Sequence, residues 1–85
     1  MLEIEVITAP GCMKCGRTKE LLGEVLKDYG GVILKEVSVV DIPERIVELG
    51  IMTTPAVIMN GKLEFRSKPK EEELRNKIEE YLKSD

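Results

Sequence analysis

Residues 8–22 read TAPGCMKCGRTKELL and hold both cysteines of the chain, Cys12 and Cys15, with two residues between them. A Pro-Gly pair precedes them, which marks a turn. The residues after them carry helical spacing. Three readings are open for such a pair: a redox couple, a metal clip, or a small structural staple. The staple is weak on energetic grounds, because a bridge across so short a loop restricts the unfolded chain little.

Upstream, LEIEVIT (2–8) alternates Leu2, Ile4 and Val6 against Glu3 and Glu5. That predicts a strand with one buried face. Downstream, residues 13–29 predict a helix. Cys15, Thr18, Leu22, Val25, Leu26 and Tyr29 share one face, and Gly30-Gly31 end it. Gly16 and Gly23 lie inside this helix. Each costs about 1 kcal/mol against Ala, so either close packing against a strand or plain tolerance must account for them.

GVILKEVSVV (31–40) is β-branched and predicts a second strand. Asp41 and Glu44 fit a capping box, with Pro43 in the first turn of a short helix. Ile42, Ile46, Val47 and Leu49 line that helix, and Gly50 closes it. TPAVIMNGKLEFR (54–66) predicts a hairpin around Asn60-Gly61, with Leu63 and Phe65 alternating against Lys62, Glu64 and Arg66. Residues 67–85 predict a last helix. Pro69 sits near its start, Glu71, Glu72 and Glu73 occupy its positive end, and Leu74, Ile78, Tyr81 and Leu82 form the buried stripe. The element order is β-α-β-α-β-β-α. A helix joins the first two strands, so they should run parallel.

Eighty-five residues predict one domain, 1–85. Its apolar share of 42% suits a core formed without metal or a disulfide framework. A net charge of −3 and 4% aromatic residues argue against nucleic acid as a partner. No apolar run approaches membrane-spanning length, and MLEIEVIT has no signal-peptide pattern. The expected location is the cytoplasm, where thiols are kept reduced. The chain has no Gln, His or Trp and only two Asn, beside many Glu and Lys. Heat-adapted proteins show that bias.

Helix placement sharpens the cysteine question. With Cys12 at the N-cap, its sulfur faces N–H groups that have no partner inside the helix. The positive end of the helix dipole favours an anion there. Lys14, Arg17 and Lys19 add positive charge at the same end. These are the conditions that lower a thiol pKa, and the thiolate is the reactive form. Cys15, one turn deeper, lies on the buried face and within reach of Cys12. An exposed nucleophile beside a sheltered second thiol suits dithiol exchange. A zinc site needs four ligands, and this chain has no His and no second Cys pair. A metal or iron–sulfur cluster shared between chains stays open, as does a scaffold without redox activity.

With this motif at the first strand-to-helix turn, the chain resembles the thioredoxin/glutaredoxin superfamily, and more narrowly its small archaeal redoxins. APGCMKC, GIMTTPAVIMNG and the terminal helix carry the resemblance, which covers nearly the whole chain. It implies an α/β thioredoxin-like fold: a four-stranded mixed sheet of order 2-1-3-4 flanked by three helices. It implies that Cys12 is the nucleophile, that Cys15 is the resolving thiol, and that the two form a disulfide. It also implies a cis peptide bond before Pro55. Gly11, Met13, Lys14, Thr54 and Pro55 would form the substrate wall, Thr54 by backbone pairing with an extended segment. The implied function is a monomeric thiol–disulfide oxidoreductase with no metal and no bound organic cofactor. It would act on disulfides of proteins or small molecules and be recycled by a reductase or a small thiol. The alternative is a carrier of metal or an iron–sulfur cluster on the same two cysteines. Copper carriers with this motif run βαββαβ, whereas this chain ends in a helix.

The chain also departs from both subfamilies. No Trp precedes the motif, and its middle pair is Met13-Lys14. Thioredoxins carry a buried acid in the preceding strand where this chain has Val6, and Glu5 should face the other way. In place of the glycine pair of glutaredoxins stands FRSKPKEEEL (65–74).

Overall fold

A computed structural model describes residues 1–83. The last two residues of the predicted terminal helix, 84 and 85, lie outside the described residues. The elements are β1 (Leu2–Thr8), α1 (Met13–Val25), β2 (Val32–Ser38), α2 (Pro43–Leu49), β3 (Ala56–Met59), β4 (Lys62–Phe65) and α3 (Glu71–Lys83). They form one four-stranded sheet in the order β2-β1-β3-β4. β1 runs parallel to β2, while β3 is antiparallel to both β1 and β4. The predicted order and topology therefore stand.

Strand alternation divides the core between two faces. On one, Leu2, Ile4, Val6, Val57 and Met59 pack against Leu22 and Val25 of α1 and Leu74 and Ile78 of α3. On the other, Ile7, Ala56 and Ile58 pack against Ile42, Ile46 and Leu49 of α2. Each large side chain fully buried here contributes about 1.5–3 kcal/mol relative to exposure. The second face is covered by only a two-turn helix, and it also holds Glu5. The prediction of one buried face on β1 is therefore incomplete: Glu5 is only 8% exposed.

Several boundaries differ from expectation, each for a local reason. α1 ends at Val25 and tightens into a 3₁₀ turn over Leu26–Asp28. Helix ends often satisfy their last carbonyls this way. Tyr29 then has extended backbone; its ring still packs against the core, and its hydroxyl donates to Glu79 of α3 at 2.7 Å. β2 stops at Ser38, whose Oγ accepts the Val40 N–H and opens a 3₁₀ turn over Val39–Asp41. Asp41 is thereby drawn into that turn and the capping box does not form. Ile42 is the N-cap of α2, without a side-chain cap, and Pro43 occupies the first turn. Val47 points to solvent rather than lining α2's buried face. Gly50 closes the helix at φ 69°, as predicted. α3 begins at Glu71 rather than 67 because Pro69 disfavours helical backbone at Lys68. The Lys70 N–H is instead capped by Glu73 at 3.2 Å.

The hairpin turns at Asn60-Gly61, both with positive φ (49° and 83°), the pattern of a two-residue primed turn. β4 does not alternate as predicted. Val57 pairs with Phe65 and Ile58 with Leu63, so Glu64 is the extra residue of a β-bulge. Leu63 and Phe65 therefore serve opposite faces, Leu63 on the α2 side and Phe65 on the α1/α3 side. Glu64 accepts a hydrogen bond from the Tyr81 hydroxyl and pairs with Lys77 at 3.6 Å. Burial and the neighbouring carboxylate push the Tyr81 phenol up to about 12.

The two helix-internal glycines are explained by tolerance. A Cβ added at Gly16 or Gly23 would meet no atom within 4 Å. Gly23→Ala is thus expected to raise stability by about 0.5–1 kcal/mol through helix propensity alone. A urea titration that gives the variant no higher midpoint would refute this.

Candidate active site

The turn before α1 is built by its own residues. The Cys12 N–H donates to the Ala9 carbonyl at 3.2 Å. Pro10 and Gly11 occupy the middle of this turn, with Gly11 at φ 76°. Proline at the second position and a positive-φ glycine at the third are the requirements of a type II turn. The turn delivers Cys12 to the N-cap of α1, as predicted. There the Cys15 N–H donates to Cys12 Sγ at 3.2 Å.

Cys12 and Cys15 are joined in a disulfide with their Cα atoms 5.4 Å apart, inside the usual range for such a bond. Cys12 is half-buried and Cys15 is 3% exposed. Thr18, one turn beyond Cys15, is fully buried, and its hydroxyl donates to the Lys14 carbonyl at 2.8 Å. The first turn of α1 carries no acid. Among the described residues, no three His, Cys, Asp or Glu side chains gather as a ligand cluster.

One cleft is lined by both cysteines, and a second adjoins it. The first, of about 390 Å³, is lined by Thr8, Ala9, Gly11, Cys12, Met13, Cys15, Gly16, Lys19 and Glu36. The second, of about 370 Å³, is lined by Ala9, Val39, Ile46, Ile51, Met52, Thr53 and Thr54. They share Ala9. A smaller apolar recess of about 190 Å³ lies beyond, between residues 51–53 and Leu63 and Arg66 of the hairpin. Met13 and Met52 are 81% and 92% exposed.

Of the residues singled out from sequence, Gly11, Cys12, Met13 and Cys15 come together in the first cleft and Thr54 lines the second. Pro55 is buried and follows a cis peptide bond. Continuing the pairing of Ile7 with Ala56 sets Pro55 level with Thr8, close to the motif. Lys14 lines neither cleft, and its side chain is exposed. Lys19 does line the first cleft, ion-paired with Glu36 at 3.1 Å.

Glu36 was missed. In sequence it is one more polar residue of an alternating strand, and only the register of β2 against β1 brings it to the cysteines. Val6 faces the α1/α3 core as expected, and Glu5 the opposite side. Arg45 of α2 grips Glu5 with two hydrogen bonds of 2.9 Å. Those bonds outweigh its partial burial and hold the Glu5 carboxyl below the usual carboxylate range.

Comparison with known proteins agrees over almost the full length. The thioredoxin-domain pattern matches residues 2–79. A thioredoxin of Methanocaldococcus jannaschii is 32% identical over 82 residues, covering 95% of this chain and 96% of the relative. A probable thioredoxin of Methanothermobacter thermautotrophicus is 31% identical over 83 residues, covering 96% and 98%. Among solved structures, oxidised thioredoxin of Plasmodium falciparum superposes with a TM-score of 0.71 at 24% identity, over 94% of this chain and 80% of that one. Thioredoxin-2, described as a component of malaria parasite protein secretion machinery, gives 0.78 at 15% identity, over 94% and 82%.

Proposed function

The chain belongs to the thioredoxin-domain family and has the thioredoxin fold, and from that premise we propose that it is a thiol–disulfide oxidoreductase that cycles Cys12 and Cys15 between dithiol and disulfide. The observation that carries this reading is the asymmetry of the pair: a half-buried Cys12 at a helix N-cap, bonded to a nearly inaccessible Cys15. In the reduced protein, the Cys15 N–H that reaches Cys12 Sγ and the positive helix end stabilise the Cys12 thiolate. That thiolate attacks a substrate disulfide and forms a mixed disulfide. Cys15 then attacks Cys12 Sγ, and the substrate leaves as a thiol. An external reductase or small thiol restores the dithiol.

Gly11 and Met13 border Cys12 on one side of the substrate path. Thr54 and Pro55 form the other, where the Thr54 backbone pairs with an extended substrate segment. Lys14, exposed next to the motif, acts on partners rather than on the sulfurs. The chain acts as a monomeric domain in a compartment that keeps thiols reduced, on disulfides of proteins or small molecules.

Reduction of insulin by dithiothreitol tests the reading. Catalytic amounts of the protein should bring the onset of insulin precipitation forward several-fold. An onset no earlier than with dithiothreitol alone would overturn it.

A further inference from the structure

Resolution of a mixed disulfide requires Cys15 as a thiolate, yet Cys15 is 3% exposed, and apolar surroundings raise a thiol pKa. Its proton needs an acceptor. β1 offers no basic side chain on this face: Leu2, Ile4 and Val6 are apolar and part of the core, and Thr8, which lines the cleft, carries only a hydroxyl. Glu3 and Glu5 point to the other side, paired with Lys35 and Arg45. The Thr18 hydroxyl is already committed to the Lys14 carbonyl.

The cleft lined by Cys12 and Cys15 is also lined by two further ionisable side chains, Lys19 and Glu36. Lys19 stands four residues after Cys15 on α1 and so on the same helix face. Glu36 is the register partner of Val6 on the adjacent parallel strand, which puts both on the same face of the sheet. The two side chains meet at 3.1 Å and remain 42% and 52% exposed, so water can reach the carboxylate.

We propose that Glu36 accepts the Cys15 proton through water in this cleft, with Lys19 as the positioning residue that holds the carboxylate over it. The inference rests on the oxidoreductase reading above. The Cys15 S–H bond breaks and its proton passes to the Glu36 carboxylate. The Cys15 thiolate attacks Cys12 Sγ, and the Cys12–Cys15 bond forms as the Cys12–substrate bond breaks. The electron pair of the broken bond leaves on the substrate sulfur, which takes up a proton from the Glu36 acid through the same water. No further oxidant or reductant is needed. A side-chain acid from β2, on the neighbouring strand, thus does work for which β1 has no residue.

The reduced full chain is mixed with an aryl disulfide whose released thiolate is coloured. The first release reports attack by Cys12 and the second reports resolution by Cys15. In Glu36→Gln the ratio of second-phase to first-phase rate near neutral pH should fall about tenfold or more. The loss should shrink at alkaline pH, where Cys15 ionises without help, and Glu36→Asp should recover part of it. Lys19→Met should shift the pH profile of the second phase. Since removing a surface ion pair costs little stability, the variants remain folded. A ratio within twofold of the parent at every pH would overturn the proposal. A first phase no faster than that of free cysteine would instead overturn the oxidoreductase reading itself.

Discussion

Cys12→Ser is expected to return insulin reduction to the dithiothreitol-only background, erasing the whole several-fold advance in onset expected of the parent. A serine hydroxyl at the helix N-cap keeps the hydrogen bond to the residue 15 N–H, because serine is a good cap, so the fold should be retained. What disappears is a sulfur that can exist as a thiolate at neutral pH. Cys15 cannot take over, for it is 3% exposed and turned into the α1/α3 core face. Cys15→Ser should behave differently. Cys12 remains reactive, but the mixed disulfide is not resolved and should accumulate as a covalent adduct of one substrate per chain, visible by mass spectrometry. In that variant the thiolate absorbance of Cys12 should titrate below that of a free cysteine, because the helix N-terminus favours the anion. A Cys12→Ser protein with parental activity, or a Cys12 midpoint at the free value, would remove the mechanistic basis of the reading.

These expectations depend on features that are local in sequence. Pro10-Gly11 specifies the turn, Cys12 the cap, and the three-residue step to Cys15 the reach of the bridge. Asn60-Gly61 specifies the hairpin in the same local way. The parts that were not legible are set by pairing between distant segments. Glu36 reaches the cysteine cleft because β2 pairs with β1 at the register Val6↔Glu36; a shift of one residue would send it to the opposite face. Glu64 is turned toward α3 by a bulge that no local signal marks, since the alternation of Leu63 and Phe65 argues for a regular strand. Asp41 has the spacing of a cap, but Ser38 captures the preceding turn first. Glu5 reads as a solvent-facing residue until α2 is seen to cover that side of β1.

Glu5 also supports the largest expected stability effect. Its side chain is 10% exposed, while that of Arg45, its bidentate partner, is 40% exposed. Arg45→Leu leaves a carboxylate nearly buried without its main counter-charge. Breaking a fully buried pair costs about 3–5 kcal/mol. Because Arg45 is partly solvated, the expected loss is smaller, about 2–3 kcal/mol, or roughly 10 °C or more in melting temperature for a domain of this size. The effect should depend on pH with a definite sign. Arg45 holds the folded-state pKa of Glu5 below its ordinary value. The pair's contribution is therefore fully present above the unfolded value of about 4.3, and it fades as pH falls through the lowered folded value. In Arg45→Leu, burial raises the Glu5 pKa instead, so the variant should begin to lose its deficit at a higher pH. The two proteins should converge in strong acid, where Glu5 is protonated in both. Glu5→Leu combined with Arg45→Leu should recover most of the loss, since two apolar residues can replace an ion pair across a packed face. Urea titrations of the four proteins between acid and neutral pH give the coupling directly. Additive single effects, or an Arg45→Leu deficit that does not change with pH, would show that the pair does not hold α2 to the sheet.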